Sequence, residues 1–284
     1  ATDILKQKLP MALIHEAIGE IVWDPKGEFE AGERVVMIPS TPMEEDSVIA
    51  ENYLRTSKFR ASGFDGFMQD VVNMRRDRIV RVPRNINPFV AAFTELVSVS
   101  VHAIDRFDKI AHERRKTVGI WGDGNLGYIT AIFFKAMFPE VKLCIFGLDE
   151  NKLSDFTFAD DTFSITSIPD DLSIDHAFEC VGGEGSPKAI NQIIDYINPE
   201  GTISILGVSE NPVAINTRMI LEKGLRMFGS SRSGRKDFEK TIALYQSNPE
   251  IVEYLQNIIG ATVNVHTVEA VSYTHLRAHE TLSD

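Results

Sequence analysis

The run Thr117-Val118-Gly119-Ile120-Trp121 followed by Gly122-Asp123-Gly124-Asn125-Leu126-Gly127 restricts what this chain can fold into more than any other stretch. A short apolar segment that breaks into a G-x-G-x-x-G turn and continues as a helix turns backbone N–H groups toward a pyrophosphate with no Cβ in the way. The helix N-terminus adds its partial positive charge. Glycines alone are weak evidence, and their surroundings carry the reading. Leu126, Ile129, Phe133 and Met137 fall on one helical face, Pro139 stops the helix, and residues 141–146 read as the next buried strand. Gly122, Gly124, Asn125, Leu126 and Gly127 are therefore predicted to hold a dinucleotide, against the alternative of a tight turn in some other α/β protein.

Composition narrows the partners. A formal net charge of −12 excludes a polyanion held through clustered Lys and Arg, so neither nucleic acid nor an anionic membrane is expected, and any phosphate must be met locally. No apolar run reaches the roughly 18 residues of a membrane helix. The only cysteines, Cys144 and Cys180, lie in apolar strand-like runs, which points to free thiols in a reducing cytoplasm rather than a disulfide framework. With 284 residues and 43% apolar content the chain can hold two domains.

Before the glycine turn, residues 12–22 read as a strand buried on both faces, residues 32–39 as a turn and strand, and residues 62–72 as another turn and strand, together an all-β lobe with Gly/Pro punctuation. His15-Glu16 stands out within it. Adjacent strand side chains point to opposite faces, so both can reach one metal only if the backbone bends there; otherwise they are a core histidine beside a surface glutamate. Residues 51–60 gather Arg55, Lys58 and Arg60 with Tyr53 and Phe59, either a phosphate clamp or a solvated loop face, and residues 75–78 read as such a face. Glu95 opens a strongly apolar helix, where an acid also favours the positive end of the dipole, and His102 within that run reads as a core histidine. After the turn, strands and helices alternate. Residues 174–181 are a strand, Ser186-Pro187 caps a helix faced by Ile190, Ile193, Ile194 and Ile197, residues 202–206 are a strand, residues 216–223 a helix and residues 225–228 a last strand. This is a doubly wound parallel sheet, which binds ligands beyond the carboxyl ends of its strands.

A β lobe bearing His-Glu, then an apolar helix opened by Glu, then a G-x-G-x-x-G unit resembles the medium-chain dehydrogenase/reductase (zinc alcohol dehydrogenase-like) superfamily. Pro10-Met11-Ala12-Leu13-Ile14-His15-Glu16, Glu51-Asn52-Tyr53-Leu54, Asp65-Gly66-Phe67-Met68-Gln69, the Gly119 to Thr130 segment and Phe228-Gly229-Ser230-Ser231-Arg232-Ser233-Gly234 are similar to the ribulose-5-phosphate reductases of the CDP-ribitol and ribitol teichoic acid pathway. The similarity runs from about Lys8 to about Asn248. It implies a GroES-like β lobe plus a Rossmann sheet, and a cytoplasmic zinc- and NADPH-dependent reduction of D-ribulose 5-phosphate, with a homodimer or a complex with the pathway cytidylyltransferase as the assembly. The expected domains are residues 1–100 (catalytic, lacking an N-terminal part), 101–232 (dinucleotide-binding), 233–270 (a return toward the catalytic lobe) and 271–284.

The superfamily pattern assigns zinc to His15, Glu16 and Glu95. The cysteine that should precede His15 has no counterpart in this chain, which opens on Ala1 without Met, and the structural-zinc cysteines are absent between residues 36 and 72. Residues 271–284, with His275 and His279, show neither helical nor strand periodicity. They read as a non-native tail, a metal-binding tail being the alternative. For the cofactor, an NAD enzyme places an acid about 20 residues past the glycines to hold the ribose hydroxyl. Here Phe146-Gly147 leaves room instead and Lys152 could counter a 2′-phosphate, which favours NADP(H), although Asp149 and Glu150 lie just beyond. Arg232 and Arg235 are candidates for the sugar phosphate, helix capping being the alternative, with Lys58 from the earlier cluster as a third. Three other functions compete: another zinc polyol or alcohol dehydrogenase, a zinc-free quinone- or enoyl-type reductase in which His15 and Glu16 are structural, and a nucleotide-binding module without catalysis.

Overall fold

A computed structural model describes residues 10–62 and 64–267. The tail at residues 271–284, with His275 and His279, lies outside them. The first lobe is a three-stranded antiparallel sheet of β1 (Ile18–Glu20), β2 (Arg34–Met37) and β5 (Ile79–Arg81), beside a short pair of β3 (Ser40–Thr41) and β4 (Lys58–Phe59). Its central strand is apolar on both faces for a reason. Val35 and Met37 pack with Phe29, Phe67 and Ile79 in a small β core, while Val36 and Ile38 join the helices of the main core.

Two predicted strands are corrected. Residues 12–17 are not strand; only Ile18–Glu20 pairs with β2. The backbone of residues 12–14 bonds instead to residues 66–68, with Gly66, Phe67 and Met68 N–H donating to the carbonyls of Ala12, Ile14 and Leu13 at 2.7, 2.7 and 3.0 Å. For the same reason the described residues among 62–72 form no strand beyond one bridge at Phe64. Residues 75–78 are not a solvated face throughout: Arg78 is 3% exposed and donates to Glu51 Oε1 at 2.9 Å.

After α1 (Pro88–Ala91), capped by the Asn87 side chain, comes the long α2 (Thr94–Ile110). The expected boundary at residue 100 falls inside it. α2 buries Val97, Val101, Ile104 and Phe107 in a core shared by the first lobe and the sheet that follows. That sheet is β6 (Thr117–Trp121), β7 (Lys142–Gly147), β8 (Asp161–Ser164), β9 (Ile174–Glu179), β10 (Ile197–Ile205) and β11 (Arg226–Gly229), all parallel, in the order β11-β10-β9-β6-β7-β8. Strand order reverses at β6/β9, the point where such sheets open a crevice for a dinucleotide. The crossover helices are α3 (Asn125–Met137), α4 (Glu150–Ser154), α5 (Ser186–Tyr196) and α6 (Thr217–Lys223); α7 (Arg235–Ser247) and α8 (Pro249–Leu255) follow the sheet. Phe238, Ile242 and Tyr245 of α7 join the core beside α2. β8 escaped the sequence reading because Asp-Thr-Phe-Ser has no apolar run, and α5 starts at Ser186 on a Gly185 cap rather than being capped by Ser186.

One core residue gives a pH prediction. His176 of β9 is fully buried; its Nδ1 accepts from Thr202 N–H at 3.1 Å, and burial, with the neighbouring His112, lowers its pKa to about 4. The unfolded chain takes up a proton near pH 6.5 that the folded chain refuses, so stability present above pH 6.5 is lost as pH falls toward 4, by up to about 3 kcal/mol. Urea midpoints between pH 7 and 4.5 should fall accordingly, and the slope should flatten in His176→Gln.

Candidate active site

The sharpest local feature of the first lobe is at His15. Ile14, a β-branched residue, has φ +66°, a conformation few such residues adopt, and it turns the chain so that two consecutive side chains face one point. The bend is built by the 65–69 segment. Asp65 Oδ1 accepts from Ala12 N–H at 2.9 Å, the three backbone bonds from residues 66–68 hold the carbonyls, and a Cβ on Gly66 would lie 2.3 Å from the carbonyl oxygens of both Leu13 and Ile14. Gly66→Ala must therefore push the His15 loop away. On the zinc site proposed below, it is expected to lower bound zinc at least tenfold while the melting temperature, set by the larger core, falls by only a few degrees; metal analysis beside a melt checks this.

Glu95 reaches the same point from the first turn of α2, where it is 5% exposed. His15 Nε2 is 3.9 Å from Glu95 Oε2 and 4.0 Å from Glu16 Oε1, and one ligand atom from each of the three residues lies within 4.8 Å of the others. Two ligands about 2.1 Å from a shared ion stand about 3.5 Å apart, so a small contraction suffices. Electrostatics agree with a cation. Burial, then the Glu16 charge, pushes the Glu95 carboxyl up to about 8, against the opposing pull of Arg232. Burial raises Glu16 and lowers His15, which leaves a neutral imidazole lone pair beside two carboxyl groups that resist being ionised together unless a cation joins them. This donor set fits a zinc ion with an open position.

Arg232 is brought to that cluster from the loop after β11. It has φ +59°, its guanidinium carbon lies 4.6 Å above the Phe59 ring, and the same ring is 5.3 Å from the His15 imidazole. The loop is held by the first lobe and α2. Asn52 donates to Ser231 O at 3.0 Å, the Tyr53 hydroxyl accepts from Ser231 N–H at 3.3 Å, and the Ser98 and Ser233 hydroxyls are 2.7 Å apart. His102 is an interior histidine with both ring nitrogens occupied, by Asp237 Oδ2 at 3.1 Å and by Tyr53 Oη at 3.1 Å.

The other two candidates for the sugar phosphate have different surroundings. Arg235 is spent on structure: its backbone N–H donates to Glu51, and its guanidinium to Glu239 and to the carbonyls of Arg76 and Ile79, so it braces the lobes. Lys58 is exposed on β4, next to the Phe59 whose ring Arg232 covers.

On the sheet side, Gly122 has φ +127°, and a Cβ on Gly127 would lie 1.9 Å from its carbonyl oxygen, so turn and helix touch. Gly124 and Asn125 are exposed at the start of α3, with open space around Gly124 where a ligand would approach, and Leu126 follows, half-buried. Gly147 ends β7, buried. Asp149 caps α4 by accepting from Asn151 and Lys152 N–H at 2.8 and 3.3 Å, and Lys152 is exposed. Across the switch point the buried Glu179 carboxylate accepts from the N–H groups of Val181, Gly182 and Gly207 at 3.1, 2.9 and 3.2 Å, fixing the loops after β9 and β10. Glu179, Asp65 and Gly66 were not singled out from sequence as site residues. An acid at the end of a fully buried strand was the available signal for the first; the other two depend on a pairing across 50 residues that no local pattern reveals.

A β lobe presenting His-Glu to an acid on the following helix, opposite the crevice of a parallel sheet, is the layout of a medium-chain dehydrogenase. The zinc-binding dehydrogenase family matches residues 154–247. Ribulose-5-phosphate reductase of Bacillus spizizenii is 53% identical over 270 residues, covering 95% of this chain and 79% of the relative, and ribulose-5-phosphate reductase 2 of Staphylococcus aureus is 56% identical over 269 residues with the same coverage. The crystal structure of S. aureus TarJ in complex with NADPH superposes with a TM-score of 0.85 at 50% identity, over 95% of this chain and 78% of that one. The chain belongs to the ribulose-5-phosphate reductase family of the medium-chain dehydrogenase/reductases, and it is an oxidoreductase. Among the described residues no helix is long and apolar enough to cross a membrane.

Proposed function

We propose that this enzyme reduces D-ribulose 5-phosphate to D-ribitol 5-phosphate, with NADPH as reductant and zinc held by His15, Glu16 and Glu95, in the cytoplasmic supply of CDP-ribitol for teichoic acid. The observation that carries the reading is the convergence of three metal donors within 4.8 Å on a point that Arg232 also approaches, in a chain more than half identical to two ribulose-5-phosphate reductases.

When bound, zinc supplies Lewis acidity to the ketone oxygen and NADPH supplies the hydride. The protein's own residues bind and orient. The amides of Gly122, Gly124, Asn125, Leu126 and Gly127 cradle the pyrophosphate at the head of α3. Gly147 keeps an acid from the end of β7, Asp149 turns its charge into the α4 cap, and Lys152 is free to meet a 2′-phosphate. Arg232 offers a planar fork to the sugar phosphate, positioned by Asn52 and Tyr53 of the first lobe. A relative solved with NADPH supports the cofactor assignment.

Metal analysis and NADPH oxidation on the same purified sample test the proposal. Stoichiometric zinc and turnover with D-ribulose 5-phosphate, at least tenfold better in kcat/KM than with unphosphorylated D-ribulose, are expected. Turnover without zinc would favour a zinc-free reductase, and NADPH binding without turnover a nucleotide-binding module.

A further inference from the structure

Gly147 is empty of side chain at the place where a dinucleotide enzyme selecting a free ribose hydroxyl carries an acid, about 20 residues past the last glycine of the turn. Its vacancy has a cause elsewhere in the chain. A Cβ built on Gly147 would lie 2.6, 2.7 and 2.9 Å from Oδ2, Cβ and Cγ of Asp123, the residue between the first two glycines of the turn. Asp123 is not free to swing aside. Its Oδ2 accepts from Leu148 N–H at 2.7 Å and from Asp149 N–H at 2.8 Å, while Gly122 N–H donates to Phe146 O at 2.9 Å, so the turn after β6 is bonded on both sides of Gly147 at the end of β7. Asp149, anchored through its own N–H, then caps the short helix that carries Lys152. The Asp123 carboxylate, an acid near the ribose end of the turn, is thus spent on backbone amides.

We propose that Asp123 is a specificity-determining residue. It excludes any side chain at position 147 and fixes the Leu148–Asp149 backbone from which Lys152 projects, so the dinucleotide preference is set by a pair, Asp123 with Gly147, rather than by either position alone. This rests on the NADPH reading above for its direction, though not for the coupling between the two residues.

The test uses the zinc-loaded enzyme and four variants, Gly147→Asp, Asp123→Gly, Asp123→Asn and the double Asp123→Gly/Gly147→Asp, each titrated with NADPH and NADH by fluorescence and melted without cofactor. Glycine is needed at 123 because alanine would leave the Cβ at 2.7 Å. Gly147→Asp alone should melt about 4 °C or more lower and lose both cofactors at least tenfold. Asp123→Gly should weaken NADPH about tenfold and NADH less than threefold, and Asp123→Asn, which keeps an oxygen for the two amides, should stay within about threefold of the parent for both. The double variant should recover most of the melting loss of Gly147→Asp and prefer NADH. Additive melting shifts, a Gly147→Asp protein that melts like its parent, or equal loss of both cofactors in Asp123→Gly would each overturn the proposal. If the parent itself bound NADH more tightly than NADPH, the cofactor reading would fail, while the melting cycle would still decide whether the two positions are coupled.

Discussion

Glu95→Gln is expected to strip the enzyme of zinc and to lower kcat/KM for ketone reduction by about three orders of magnitude, the loss of roughly 4 kcal/mol of charge stabilisation at the reacting oxygen. The substitution keeps the shape of a side chain that is 5% exposed and removes only its charge. Its effect on stability should have the opposite sign when metal is absent. The Glu95 carboxyl is held at about 8 by burial and by Glu16, far above its ordinary value, so between about pH 4.5 and 8 the folded chain retains a proton that the unfolded chain releases. Stability of the chelated protein therefore falls as pH rises through that window, by up to about 5 kcal/mol, because folding must hold an uncompensated buried charge at the upper end. Glutamine titrates nowhere in that range. Melts in chelator from pH 5 to 9 should show parent and variant close together at the acid end and the variant more stable at the alkaline end; with zinc added the order should reverse, since only the parent is stabilised by binding. Equal zinc content in the two proteins would remove Glu95 from the metal site.

The sheet was legible because its signals are local. An apolar run, a glycine turn and a periodic helix each report their own conformation, and the strands at residues 117–121, 142–147 and 174–179 fall where hydrophobic continuity places them. The first lobe was less legible for a physical reason. Its backbone bonds run between irregular segments, residues 12–14 with 66–68 and Asn52 with Ser231, and periodicity carries no trace of them. The apolar letters of residues 11–18 suggested a strand, whereas their carbonyls are taken by a loop 50 residues away. His15, Glu16 and Glu95 could be grouped only through the resemblance, because the bend at Ile14 that brings the first two to one point is imposed by Gly66 and Asp65.

On the proposed function, an acidic chain that takes a pyrophosphate and a sugar phosphate must keep its own carboxylates from repelling them. Near the crevice the acids are turned inward onto amides: Glu179 takes three N–H groups, Asp123 two and Asp149 two more. Each bond places the partial positive end of a backbone dipole against a negative charge, which lowers the repulsion an entering phosphate meets without adding a single Lys or Arg. A net charge of −12 and an anionic cofactor are compatible on that account.

On the proposed reaction the substrate's phosphate needs a full positive charge, which the reading above assigns to Arg232. Arg232→Ala is expected to lower kcat/KM for D-ribulose 5-phosphate by about a hundredfold and to leave the much poorer reaction with unphosphorylated D-ribulose within about threefold, so the preference for the phosphate should largely disappear. Lysine should restore little, because a point charge on a flexible stem reproduces neither the planar fork nor the stacking on Phe59. The left-handed backbone at Arg232 is maintained by Asn52, Tyr53 and Ser98, none of which the substitution touches, so the variant should melt like its parent. Arg232 also opposes the upward shift of Glu95, and its removal leaves that carboxyl harder to ionise. Removing that cation strengthens proton competition at Glu95 but also relieves repulsion of a divalent ion, so assays at saturating zinc separate any change in metal occupancy from loss of the phosphate contact. An unchanged ratio of the two substrates under those conditions would show that the sugar phosphate is held elsewhere.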